Sequence, residues 1–230
     1  MDTTAPHKEK VKFSELLVDF LQKRRVILIS FLIAIFVILA GIGIVLTLIE
    51  TAQIKAIARV ETLSERYDEI RTLTDEIKKK EAIDSLLEEL KSASNENDLP
   101  SARSLSIIAT IHADMKDWTE AEKAWIASAE AAPKSYLAPI SLYNAATAAE
   151  DRGDSSSALA LYTRCIEEYS SNYPLTARVY FSIGRISEQI NDIQGATAAY
   201  KKIVDGWPNE GWTKLANSRI LSITSQASNP

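Results

Sequence analysis

Asp117–Pro133 reads DWTEAEKAWIASAEAAP. Small and large residues alternate every three or four positions, and a proline stops the run. That spacing places Ala121 and Trp125 on one face of an α-helix. Two later stretches repeat the design, DSSSALALYTRCIEEY at 154–169 and DIQGATAAYKKIVDGWP at 192–208. Aligned, Ala121, Ala158 and Ala196 coincide, as do Trp125, Tyr162 and Tyr200, at intervals of 37 and 38 residues. The alanine lets another backbone cross closely, and the ring four residues on fills the gap beside it. Each such helix is shaped for stacking against its own partner helix and the next repeat.

A first helix precedes each echo: Leu105, Ile108 and Ala109, then Leu142, Ala145 and Ala146, then Tyr180, Ile183 and Gly184. The turns inside the pairs are Met115-Lys116-Asp117, Arg152-Gly153-Asp154 and Ile190-Asn191-Asp192, whose Gly, Asn and Asp suit helix ends. With few glycines and prolines to interrupt it, the chain is predicted to be all-α, with no strands. The array resembles the tetratricopeptide repeat (TPR) family, in which the second helix carries Ala, an aromatic, Ala and Pro. The matching residues are Ala121, Trp125, Ser128 and Pro133, then Ala158, Tyr162 and Cys165, then Ile183-Gly184, Ala196, Tyr200 and Pro208. The resemblance implies a helix-turn-helix solenoid over 101–208 containing three TPR-like repeats.

Upstream, Val60, Leu63, Tyr67, Ile70, Thr74 and Ile77 recur at helical spacing. The seam is too short for a persuasive coiled coil, so a helix packed on its own domain is expected, with a homodimer as the other use of the seam. A second helix is expected over about 82–92. Residues 50–100 thus form a linker helix and a degenerate first repeat: Ala82 lies 39 residues before Ala121, but no aromatic follows it. At the other end, Trp212, Leu215, Ala216, Ile220 and Leu221 predict a capping helix within 209–230.

Val26–Ile49 is 24 residues without a charge, about 36 Å as a helix, and reads as a transmembrane signal-anchor rather than a cleaved leader. Six basic residues precede it (Lys8, Lys10, Lys12, Lys23, Arg24, Arg25) and three fall in the next twenty, which predicts a cytoplasmic N-terminus. Residues 1–25 form a cytoplasmic tail, amphipathic through Phe13, Leu16, Leu17, Phe20 and Leu21. Beyond the span, residues 50–230 carry 20 basic and 27 acidic side chains, which argues against nucleic acid as a partner.

No catalytic, metal or cofactor-binding constellation is expected. His7 and His112 are isolated, the lone Cys165 occupies a packing position, and no phosphate loop or zinc motif occurs. Repeat arrays of this kind bind on the surface lined by their first helices. Helical phase turns Arg103, Tyr143, Asn144, Arg178, Phe181, Arg185 and Glu188 toward it, with Tyr143 and Phe181 as exposed aromatic anchors and Arg178 and Arg185 as holders of a carboxylate. The whole layout is similar to bacterial inner-membrane proteins with one N-terminal span and a periplasmic TPR domain, of the type of the ancillary SecYEG translocon subunit. That similarity implies a scaffold, not an enzyme, for exported proteins, chaperones or translocon subunits. The alternative is a structural scaffold for division, cell-wall or motility assembly.

Overall fold

The structure, a computed structural model, describes the backbone of residues 13–171 and 173–227. All regular structure among these residues is helical: α1 (Phe13–Arg71), α2 (Glu76–Ser92), α3 (Leu99–Asp114), α4 (Trp118–Ala131), α5 (Leu137–Asp151), α6 (Ser155–Tyr169), α7 (Thr176–Gln189), α8 (Ile193–Gly206) and α9 (Gly211–Ala227). Two compact units divide the chain, Met1–Ile54 and Lys55–Pro230.

In the first unit, α1 is long and apolar enough to cross a membrane, and none of its most apolar stretch is buried in protein. Two of its threonine hydroxyls are satisfied within the helix: Thr47 Oγ1 donates to the Gly43 carbonyl at 2.9 Å and Thr51 Oγ1 to the Thr47 carbonyl at 2.8 Å. A helix in hydrocarbon needs that self-sufficiency. Phe20 and Leu21 are exposed. The side chains of Phe13, Leu16 and Leu17 lie outside the described residues, as do His7, Lys8, Lys10 and Lys12.

The second unit is a chain of antiparallel helix pairs. Each helix from α3 onward packs on its sequence neighbour, and α3 also touches α5 and α7 touches α9. Val60, Leu63, Tyr67 and Ile70 are buried, the last three in one cluster with Leu86 and Leu90 of α2 and Ile108 and Ile111 of α3. The seam therefore packs on its own domain. It stops at Arg71, short of the expected Thr74 and Ile77, because the Asp75 side chain accepts from the backbone N–H groups of Ile77 and Lys78 and starts a new helix. Ile77 is exposed. Leu86, 39 residues before Trp125 and fully buried, fills the aromatic's place in this first pair.

All three inner turns have one geometry. Lys116, Gly153 and Asn191 are left-handed, at φ of 61°, 84° and 61°. The following aspartate N–H reaches back to the carbonyl of His112, Ala149 or Ser187 at 2.8 to 2.9 Å, and its side chain caps the next helix through the N–H of Glu120, Ser157 or Gly195. One residue thus closes one helix and opens the next.

The third landmark of each second helix varies in chemistry at a constant place. The Ser128 hydroxyl donates to the Ala102 carbonyl at 2.7 Å, and 37 residues later the Cys165 thiol points at the Pro139 carbonyl at 3.5 Å. Ile203 makes the equivalent position wholly apolar, in one cluster with Ala177. The capping helix α9 is in a different phase from that expected. Thr213, Ala216 and Ile223 are buried at 3-4-3 spacing through Ile220, whereas Leu215 and Leu221 fall off that face and are exposed.

Candidate functional site on the first-helix surface

The seven residues expected to line the first helices divide into those tied to the fold and those left available. Arg103 of α3 pairs with Glu61 of α1. Arg185 of α7 pairs with Glu150 of α5. Glu188 accepts from the Tyr200 hydroxyl at 2.6 Å and pairs with Arg219 of α9, whose Nε lies 3.0 Å away. Phe181 is half-buried rather than exposed, its ring between Tyr200 and Trp212 at centroid distances of 5.4 and 5.2 Å.

Glu150 and Glu188 occupy equivalent places, 38 residues apart. Each pairs with an arginine of the next helix in that layer, but only Glu188 also takes the tyrosine of its own repeat, the Tyr162 hydroxyl being shared with Thr147 at 3.2 Å instead. The Arg219 guanidinium holds the Glu188 carboxyl below the usual carboxylate range, against the opposing effect of burial. Burial, with Glu188 beside it, pushes the Tyr200 hydroxyl up, and burial does the same to Tyr162. In the first repeat Ala113 stands 37 residues before Glu150, and the Trp125 indole N–H has no hydrogen-bond partner among the described residues.

Tyr143, Asn144 and Arg178 remain. The Arg178 guanidinium lies 4.8 Å from the centroid of the Tyr143 ring, which itself packs on Tyr162 at 5.4 Å. Arg178 is exposed, Tyr143 and Asn144 half-buried. Arg178 has no carboxylate partner among the described residues, and Asn144 makes no side-chain hydrogen bond there. Stacking on a ring fixes the guanidinium plane while leaving its N–H groups to face a partner's carboxylate or backbone carbonyls. The expected pair of carboxylate holders is therefore one free arginine, because Arg185 is engaged by Glu150. Sequence reasoning missed Arg219, read only as part of the cap. Among the described residues no three or more His, Cys, Asp or Glu side chains are grouped to hold a metal ion.

The helix-turn-helix pairs thus present a half-open aromatic and cationic face on their first helices. Residues 143–210 match the family model described as tetratricopeptide repeat. A TPR repeat-containing protein of Treponema pallidum (strain Nichols) is 28% identical over 224 residues, covering 89% of this chain and 92% of the relative.

Proposed function

We propose that this protein is a membrane-anchored scaffold that captures polypeptides on its first-helix surface. Val26–Ile49 crosses a bacterial inner membrane once with the N-terminus in the cytoplasm, and the repeats work in the periplasm on exported proteins, chaperones or translocon subunits. The observation that carries the reading is Arg178 set over Tyr143 with no carboxylate of its own, in an acidic unit that neutralises most of its other arginines. An aromatic and guanidinium pair suits extended chains of varied sequence, since it grips backbone carbonyls and apolar side chains alike.

Photo-crosslinkers placed at Tyr143, Arg178 and Phe36 in intact cells test this. Exported chains or chaperones at the first two positions, with translocon subunits at Phe36, are the expected capture. One division, cell-wall or motility protein at all three would assign the chain to envelope assembly instead, and no polypeptide at Tyr143 or Arg178 would end the scaffold reading.

A further inference from the structure

A second surface, at the start of the Lys55–Pro230 unit, has the chemistry of an anion site. Lys55, Ala56, Arg59 and Val60 of α1, with Ala93 and Pro100, line a groove of about 240 Å³. We propose that this groove holds the phosphate of an anionic phospholipid headgroup, with Lys55 and Arg59 as its ligands and the apolar floor under the adjoining glycerol.

Lys55 and Arg59 stand one helical turn apart, so both side chains leave α1 on the same face. Both are exposed. Lys55 has no carboxylate partner among the described residues, and Arg59 donates only to the Ser92 hydroxyl, at 3.3 Å. The contrast with the rest of the unit is informative. Among the described residues, only Arg59 and Arg178 of its nine arginines lack an acidic partner, although acids outnumber bases there. Asp98, the acid nearest Pro100 in sequence, is occupied in capping α3 through the Ser101 N–H.

The choice of a lipid over a soluble anion rests on the chain. Lys55 follows the last apolar residue, Ile49, by six positions, which keeps it within about 20 Å of the span's end by any path. If the span is in a bilayer, as the proposed function requires, headgroups are present beside the groove at high effective concentration and a free phosphate is not. Each cation near an anionic surface strengthens binding about fivefold, so the pair is expected to give about twenty-five-fold.

The test is native mass spectrometry of the full chain released from detergent with phosphatidylglycerol or phosphatidylcholine of the same acyl chains. Wild type is expected to retain phosphatidylglycerol about twenty-five-fold better. Lys55→Gln with Arg59→Gln loses the preference, and Lys78→Gln with Lys79→Gln keeps it. Arg59→Lys, which retains the charge, keeps most of it, and guards against a folding defect in the double variant. The proposal is overturned by a wild type without preference, by equal loss in both double variants, or by displacement of the lipid with millimolar inorganic phosphate. Extraction of the chain from vesicles by alkaline carbonate tests the span separately. A chain that stays with the vesicle yet shows no preference sinks only the headgroup site.

Discussion

A methyl group on Gly184 would stand 2.5 Å from Cε1 of Tyr200, well inside the contact distance of two carbons. Here α7 and α8 pack closely, and the ring whose hydroxyl bonds Glu188 leaves no room for a Cβ. Gly184→Ala is therefore expected to destabilise the domain by about 1–3 kcal/mol through overpacking. Thermal melts followed by circular dichroism check it, and Tyr200→Leu in the same chain should recover part of the loss.

The three left-handed turn residues give a graded series. Nothing lies within 4 Å of a Cβ added to Gly153, so Gly153→Ala pays only backbone strain, about 1 kcal/mol. Lys116→Gly should stabilise by about 0.5–1 kcal/mol, the strain relieved less the extra freedom of glycine in the unfolded chain. Asn191→Gly gains less, since asparagine tolerates that region. Denaturant midpoints falling in another order would count against this account of the turns.

Stability should depend on acid through Glu188. Its carboxyl titrates below the value of about 4.3 it has in an unfolded chain, so its contribution is complete at neutral pH and is lost as pH falls through the folded value. The melting-temperature gap between wild type and Glu188→Gln should be largest near pH 7 and shrink below about pH 4. A gap unchanged from pH 7 to pH 3 would remove Arg219 as the cause.

Arg178 and Arg185 should separate binding from folding. Arg178→Ala is expected to weaken capture of a crosslinked partner about tenfold with little change in melting temperature, as for the loss of one charge-assisted contact of about 1.5 kcal/mol. Arg185→Ala strands the Glu150 carboxylate and should lower the melting temperature instead.

Cys165 is buried at 1% exposure, and that burial, with Glu168 nearby, pushes its thiol up to about 12. A thiol-specific reagent at pH 8 should leave it unmodified in the folded chain and react fully in denaturant. Rapid labelling without denaturant would mean that the middle repeat opens.

The repeats were legible because their signals are local. Ala158 and Tyr162, or Gly153 and Asp154, lie within a few residues of each other and keep the same offsets in each copy. The first pair was only half legible: Leu86 does the work of a ring, and its packing partners Leu63 and Ile108 lie far along the chain on both sides. Helical phase brought the seven candidate residues to one surface but could not tell which were already engaged. The partners of Arg185 and Glu188 lie 35 and 31 residues away, a separation set by tertiary stacking and not by any motif. Likewise α9 shows the right amphipathic content, but its phase is decided by Trp212 landing on Phe181.

The ion pairs are distributed unevenly between the two layers of the array. Between the first and second complete repeats the acids belong to the second helix α4, where Glu130 meets Arg164 of α6 and Glu122 meets Arg152 at the end of α5. At the following two junctions they sit in the first-helix layer, as Glu150 with Arg185 and Glu188 with Arg219. Salt weakens such half-exposed pairs far more than it weakens apolar contacts. Rising ionic strength therefore slackens one side of the stack at its middle and the other side toward its end, as heating bends a bimetal strip. The array is expected to change its curvature with the ionic medium while every helix stays folded, an outcome that small-angle scattering beside circular dichroism would check.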